Sequence, residues 1–408
     1  MDTALRPSFM RNDRSPLAWG SDEWDAASRR RACSPLLDEV ALETHLDRAA
    51  FLRDGVAVLP GVMTAAARKR WAQATQKAQD LNDRMIRAAP SWPELIDWPK
   101  LGRAQPPAKV LAADDIANAL GTSQAIKTTS AEGHGQDPVG IQTLRYHSVI
   151  PEYFPAGHVG ELMDVLNHPQ MIELNSRLLG CSLGEVRFDH NQLLNRRPGY
   201  PGGAWHSHKI GGGLDDVGCE GDLKAYDAQP NLAICLCYPE GFQAEDDGGL
   251  GIIRGSHLFR DTHGCRASAD PESGKSADDV MAAGWMKGKT HPITGAPLRI
   301  ERFGLPPGSI AVVLSHGAHG VAPKAHAKKK TRLCTLFAYR KAAGDVIPSP
   351  GRQVPPCWAA KARRGELPAW FSERLQGVGD IYNTGGLKAG EVNVVAGGPD
   401  HEHNGPRL

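Results

Sequence analysis

Short runs of β-branched and apolar residues, each bounded by glycine or proline, dominate the chain from about residue 185 onward. These runs are EVRFDHNQLLNR (185–196), LAICLCYPE (232–240), GLGIIRGSH (249–257), GSIAVVLSHGAHG (308–320) and TRLCTLFAYR (331–340). Runs of this kind are typical of strands, and strands separated by turns in this way indicate a double-sheet barrel or jelly roll. The 45 glycines and 30 prolines among 408 residues favour such a β-rich chain over a helical bundle.

Helical patterns come before these runs. Apolar residues recur at helical spacing over 41–53, over 64–88 with Thr64 as the N-cap, and over 159–179 with Gly180 as the C-cap. A short strand-like run, DGVAVLPGVM (54–63), follows the first of them. Helices followed by a β-core predict an α+β fold, with a double-stranded β-helix (jelly-roll) core and flanking N-terminal helices.

The same patterns divide the chain into three parts. Residues 1–44 are predicted to be a polar N-terminal arm, 45–342 a jelly-roll domain, and 343–408 a mostly irregular C-terminal extension. Two segments of the domain, about 89–140 and 258–300, interrupt the pattern and are expected to be insertions. Loops carried by a rigid scaffold usually determine specificity, so we expect these insertions to shape the mouth of a pocket.

Composition excludes several classes of function. Hydrophobic residues make up 41% and charged residues 23% of the chain, which fits a soluble globular protein with a sizeable core. A net charge of +1 gives no electrostatic case for nucleic acid or an anionic membrane as a partner. We expect no signal peptide and no spanning helix, because no apolar segment is long enough. Eight cysteines are too few for a disulfide scaffold and are expected to be reduced thiols of a cytoplasmic protein. No pattern indicates an oligomeric state.

The segment AWHSHKIGGG (204–213) contains the strongest chemical signal. His206 and His208 are two residues apart, so on a strand both imidazoles point to one face. A third histidine, His316 or His319, lies near the end of a later run. First-row metals that activate oxygen use three protein ligands on one side and leave positions open for substrate and O2. The sequence therefore predicts an iron(II) site assembled from two strands.

Six segments, in the same order, resemble the phytanoyl-CoA dioxygenase superfamily of iron(II)/2-oxoglutarate oxygenases over roughly residues 45–342. They are FLRDGVAVLPGVM (51–63), ELMDVLNHPQMIELNSRLLG (161–180), LLNRRPG (193–199) followed by AWHSH (204–208), GGLGIIRGSHL (248–258), PGSIAVVLSHGAHGV (307–321) and TRLCTLFAYR (331–340). The resemblance implies a non-haem dioxygenase that oxidises a small organic molecule with iron(II), 2-oxoglutarate and O2. It also implies that His257, in the G-S-H turn, is structural.

The resemblance also implies roles for single residues. His206 matches the first metal ligand, and His319 rather than His316 matches the distal ligand. Arg332 matches the arginine that pairs with the distal carboxylate of 2-oxoglutarate, a task that suits the guanidinium fork. Arg196 falls where many members have a lysine that also contacts this co-substrate.

His208 departs from the family pattern, because an aspartate ligand is usual at its position. In one interpretation His208 is itself a ligand, which gives a three-histidine site. In a second, a nearby acid takes its place, and the candidates are Asp215, Asp216 and Glu220. In a third, the metal is lost and a jelly-roll binding protein remains. Three-histidine oxygenases often act on a chelating substrate without 2-oxoglutarate, so the first interpretation leaves two reactions open: 2-oxoglutarate-dependent hydroxylation or rearrangement, and direct oxidation of a chelating substrate.

Overall fold

The computed structural model describes residues 34–87, 168–200, 202–207, 232–243, 246–259, 267–314 and 316–341, with only the backbone described for 77–87 and 189–193. Residues 1–33 of the predicted arm, the predicted 89–140 insertion and the predicted extension 343–408 lie outside this part. The helices are α1 (Glu39–His45), α2 (Arg48–Asp54), α3 (Ala65–Arg87), α4 (Pro169–Leu179) and α5 (Ala277–Ala283). The strands are β1 (Val56–Leu59), β2 (Val186–Leu193), β3 (Leu232–Tyr238), β4 (Leu250–Ile253), β5 (Ile300–Arg302), β6 (Ser309–Leu314), β7 (His319–Val321) and β8 (Thr335–Lys341).

Helix ends follow local capping chemistry. The helix predicted over 41–53 is two helices, because the Asp47 carboxylate accepts the amide of Ala50 at 3.0 Å and starts α2 anew. Helix α3 begins after Thr64 as predicted, with the Thr64 hydroxyl accepting the amide of Ala67 at 3.2 Å. Helix α4 ends at Gly180, which adopts the left-handed conformation with φ 65°. None of the helices described is long and apolar enough to cross a membrane.

The strands form two antiparallel sheets. The larger has the order β1-β6-β3-β8-β2, and the smaller has the order β5-β4-β7. The chain passes repeatedly from one sheet to the other, since β3 lies in the first, β4 and β5 in the second, β6 in the first, β7 in the second and β8 in the first. The presence of both helices and antiparallel sheets confirms the α+β prediction.

The two sheets share one apolar core. Alternate residues of β3, β6 and β8 meet alternate residues of β4 in a single cluster that includes Ile234, Leu236, Leu336, Leu250 and Ile252. The opposite face of the larger sheet is covered by helices. There Trp71 of α3 packs edge-on against Phe337, with ring centres 5.6 Å apart. Each strand of the core therefore has one face between the sheets and one face outside.

A buried histidine joins the smaller sheet to helix α2. His257 lies in a short 3-10 turn after β4, and its Nε2–H donates to the carbonyl of Leu52 at 2.8 Å. Nδ1 makes no hydrogen bond to any residue that the structure describes. Its neighbour Gly55 has φ +78°, and a Cβ there would lie 2.5 Å from Nδ1. The contacts agree with the structural role predicted for His257.

Acid should destabilise the protein through His257. Burial lowers the pKa of this imidazole to about 4. An unfolded histidine titrates near pH 6.5. Between these two values the unfolded chain binds the extra proton, so stability is complete above pH 6.5 and falls as the pH drops towards 4. At about 1.4 kcal/mol per pH unit, His257 should cost roughly 3 kcal/mol of unfolding free energy over this window.

Urea unfolding of the wild type and His257→Gln at pH 7 and pH 4.5 measures this contribution. Glutamine keeps an N–H donor for the Leu52 carbonyl and does not titrate, so the variant should lose less stability on acidification. An equal loss in the two proteins would assign the acid sensitivity to other groups.

Candidate metal centre

His206 and His319 lie side by side on paired backbone segments. The amide of His206 donates to the carbonyl of His319 at 3.0 Å, and the amide of His319 donates to the carbonyl of His206 at 2.9 Å. Residues directly opposite each other in an antiparallel pair share one face. Their ring centres are accordingly 4.3 Å apart, at an interplanar angle of 54°. The structure thus brings together two of the three predicted ligands, and its register pairs His206 with His319 rather than with His316.

Both imidazoles face the space between the two sheets. Ile252 of β4 lies directly opposite His319 of β7, and Ile252 belongs to the core cluster between the sheets. Opposite residues share a face, so His319 points the same way, and His206 points with it. The pair therefore projects from the smaller sheet towards the larger one.

Local hydrogen bonds fix the protonation of both rings. Nδ1 of His206 lies 3.0 Å from the carbonyl oxygen of Ala204, and Nδ1 of His319 lies 2.9 Å from that of Gly317. A carbonyl only accepts, so each Nδ1 carries the hydrogen and each Nε2 carries the lone pair. Metal-ligating histidines commonly have this arrangement, because the second bond fixes the tautomer and orients the ring. Two such imidazoles fit iron(II) as ligands.

The candidates for the third ligand lie outside the described residues. These candidates are His208, Asp215, Asp216 and Glu220. Within the described ranges, no group of three or more histidine, cysteine, aspartate or glutamate side chains is placed to hold a metal ion. The described part therefore contains two of the three predicted ligands.

Trp205 anchors the ligand segment from the opposite face. Its indole is fully buried, and its Nε1–H donates to Oδ1 of Asp278 on α5 at 2.7 Å. Arg302 of β5 donates to the same oxygen at 2.6 Å and holds its guanidinium 5.2 Å from the centre of the indole. The backbone of Trp205 also pairs with that of Ala267. We call the three side chains Trp205, Asp278 and Arg302 the tryptophan clamp.

Two glycines make room for the clamp. A Cβ at Gly320, next to His319, would lie 3.1 Å from the Trp205 ring. A Cβ at Gly251 would lie 2.5 Å from the guanidinium of Arg302. The sequence gave no signal for Asp278 or Arg302, because neither lies in any motif that the sequence identified.

Arg196 and Arg332 lie opposite each other at the end of the larger sheet. Each donates its amide to the carbonyl of the other, at 2.9 and 2.8 Å. The neighbouring pair, Leu194 and Cys334, packs with the core cluster. Arg196 is two residues from Leu194, and Arg332 is two residues from Cys334. Side chains two residues apart on a strand point to the same face, so both arginines also face the space between the sheets. The structure thus presents two histidines from one sheet and two arginines from the other to the same interior.

The two guanidinium groups are buried, each residue being 5% exposed. Burial lowers the pKa of Arg196 from its usual range, and the charge of Arg332 acts in the same direction. Nη2 of Arg332 donates to the carbonyl of Leu194 at 3.0 Å, and its plane lies 5.3 Å from the ring centre of Tyr238. Its Nε makes no hydrogen bond, and no carboxylate of the described residues pairs with it. A buried guanidinium in this state is suited to bind an anionic ligand.

Comparisons with known proteins found similar solved structures only. The epimerase SnoN, described as non-heme and alpha-ketoglutarate-dependent, from nogalamycin biosynthesis is 15% identical, with TM-score 0.35 over 75% of this chain and 82% of that chain. AviO1 from Streptomyces viridochromogenes Tue57 is 17% identical, with TM-score 0.43 over 76% and 97%. HygX from Streptomyces hygroscopicus, solved with nickel and 2-oxoglutarate, is 13% identical, with TM-score 0.36 over 72% and 87%. No protein-family model matches the chain, and no curated protein matches it.

Proposed function

We propose that the chain is a mononuclear non-haem iron(II) oxygenase that uses 2-oxoglutarate and O2 to oxidise a small organic substrate. The observation that carries this proposal is the pairing of His206 and His319, with each Nδ1–H held by a backbone carbonyl, so that Nε2 is the ring nitrogen suited to bind a metal. Histidines that bind a metal commonly hold their second ring nitrogen in this way, which supports a metal site.

The architecture supports the same proposal. The strands pass alternately between two antiparallel sheets, and the bridge of His206 to His319 adds a further strand position beside β7. We interpret the two sheets as the halves of a double-stranded β-helix. In such a fold the ligand-bearing strands and the arginine-bearing strands face one interior, so a chelating co-substrate can span from the metal to a cation.

Each residue has a defined part in this proposal. His206 and His319 hold iron(II), with His208 as the third ligand. Arg332 binds the distal carboxylate of 2-oxoglutarate, and Arg196, which stands beside it, adds a second positive charge. When bound, iron(II) supplies the site at which O2 and the organic substrates react. Three neutral imidazoles leave the full charge of the metal uncompensated, which favours a dianionic chelator such as 2-oxoglutarate.

An anaerobic titration tests the proposal. Metal-free protein is titrated with iron(II) and then with 2-oxoglutarate, and the visible absorbance is followed. We expect stoichiometric iron binding and then a weak charge-transfer band, because 2-oxoglutarate chelates the metal through two oxygens. Absence of iron binding would overturn the proposal and favour a metal-free binding protein.

The histidine at position 208 favours a second candidate function. A three-histidine iron oxygenase can act on a substrate that chelates the metal directly, without 2-oxoglutarate. This candidate predicts iron binding with no band on addition of 2-oxoglutarate. The arginine pair favours the first candidate, because a buried guanidinium without a carboxylate partner has no evident purpose in the second.

Replacing Arg332 with methionine should weaken 2-oxoglutarate binding to the iron-loaded protein by 100-fold or more. The variant removes a charge-assisted bidentate contact, and such contacts to carboxylates contribute about 2–3 kcal/mol or more when buried. Arg332→Lys should recover part of the affinity, because lysine restores the charge without the fork. Titration of the charge-transfer band gives both affinities. Unchanged 2-oxoglutarate affinity with intact iron binding would remove Arg332 from the co-substrate site.

A further inference from the structure

A cleft of about 1170 Å³ opens beside Arg332, at the end of the larger sheet where Arg332 lies. Its walls are the first turns of α3, the turn that follows β3, and the segment 327–332 that leads into β8. Seven of the side chains that line it are lysine or arginine, and two are aspartate or glutamate. The cleft is therefore strongly cationic, although the chain as a whole has a net charge of only +1.

Most of this positive charge is not compensated by the protein. Lys324 forms an ion pair with Asp247, and Lys328 lies 3.5 Å from a carboxylate oxygen of Asp246. The other five cations form no ion pair with any residue that the structure describes, and they are Arg68, Lys69, Lys329, Lys330 and Arg332. Like charges gathered around one concavity raise its potential and attract an anion.

A buried residue in the lining of the cleft adds a second observation. Arg332 lines the cleft, is 5% exposed, and has an Nε without a hydrogen-bond partner among the described residues. Helix α3 begins at Ala65, which also lines the cleft, and the start of a helix carries partial positive charge. The exposed lysines at the rim therefore surround a buried cation that solvent cannot neutralise well.

We propose that this cleft is a binding site for a small phosphate-bearing molecule. Phosphate and pyrophosphate groups carry several charges on oxygens that point in different directions, which matches cations that come from both α3 and the segment before β8. A single carboxylate matches Arg332 alone and leaves the rim unexplained. Nucleic acid and membrane surfaces are too large to contact a buried arginine in the lining of a cleft. The proposal shares Arg332 with the proposed 2-oxoglutarate site but requires no metal, so it can be tested separately from the proposed oxygenase function.

Calorimetric titration of the full chain with pyrophosphate tests the proposal. The protein is freed of metal by dialysis, because pyrophosphate would otherwise chelate it. Two variants remove two positive charges each from the rim, K329Q/K330Q and R68Q/K69Q. The control K275Q/K287Q removes two charges from exposed lysines that do not line the cleft. We expect pyrophosphate binding to be at least tenfold weaker in both rim variants and within twofold of wild type in the control.

Several outcomes would overturn the proposal. They are no pyrophosphate binding by the wild type at 0.1 M salt, an equal loss in the rim variants and the control, and tight binding of a short duplex DNA in place of pyrophosphate. A competition experiment tests whether Arg332 alone binds the anion. If 2-oxoglutarate displaced pyrophosphate while the rim variants bound pyrophosphate normally, Arg332 alone would be the anion site and the lysines of the cleft would have no part in binding. Thermal melting of each variant verifies that the fold is intact.

Discussion

Replacing His319 with alanine should lower the affinity for iron(II) by at least 100-fold. The variant removes one of the three proposed imidazole ligands, and even the loss of a residue that only orients a metal ligand costs 10- to 100-fold in metal affinity. His206→Ala should have an effect of the same size, because the two rings lie 4.3 Å apart and face the same interior. Anaerobic competition with a chromophoric chelator measures the iron affinity of each protein.

Two further histidines make this measurement specific. His326 is exposed and lies on no ligand strand, so His326→Ala should bind iron(II) like the wild type. His316 is buried three residues before His319 and is the alternative distal ligand. Loss of iron binding in His316→Asn combined with retention in His319→Ala would reverse the ligand assignment.

Replacing Trp205 with alanine should reduce the free energy of unfolding by about 3–5 kcal/mol. The indole is fully buried beneath the ligand segment, and the variant leaves both a cavity and the Asp278 and Arg302 side chains without their aromatic partner. Urea unfolding at pH 7 gives the size of the effect. A loss below about 1 kcal/mol would mean that the surrounding residues collapse into the space.

Trp205→Phe separates packing from positioning. Phenylalanine keeps most of the buried aromatic area but lacks the N–H that donates to Asp278. If the tryptophan clamp also positions His206, the iron affinity of this folded variant should fall by three- to tenfold. Wild-type iron affinity in Trp205→Phe, with stability nearly intact, would limit the clamp to a structural role. Asp278→Asn keeps an oxygen acceptor for the Trp205 N–H, so this variant should retain most of the wild-type iron affinity and stability.

The strands were predicted well, because the features that indicate a strand lie within the strand itself and the residues that flank it. Alternation and flanking glycines located β3, β4, β6 and β8 within their runs, and Thr64 and Gly180 were identified as helix caps from their chemistry alone. The exception is the helix predicted over 41–53. Its apolar spacing continues through Asp47, but that carboxylate caps a new helix instead of facing solvent in the middle of one.

Contacts between distant residues were predicted only where the family resemblance assigned roles. Three histidines and two arginines were assigned to one site, and the structure places two of these histidines and both arginines facing one interior. The clamp escaped prediction, because Asp278 is 73 residues from Trp205 and nothing in its neighbourhood marks it. The backbone carbonyls that set the histidine tautomers were likewise invisible, since a carbonyl is the same for every residue type.

The buried pair of Arg196 and Arg332 has an energetic consequence for the folded protein. Two cations that repel each other away from water lower stability, and apolar replacements of buried charged groups are often neutral or stabilising. A protein that keeps such a pair is less stable to unfolding but has a site already arranged to bind a dianion. In the proposed oxygenase, 2-oxoglutarate would restore the lost stability as it binds, so the ligand-free protein would be less stable than the protein with 2-oxoglutarate bound.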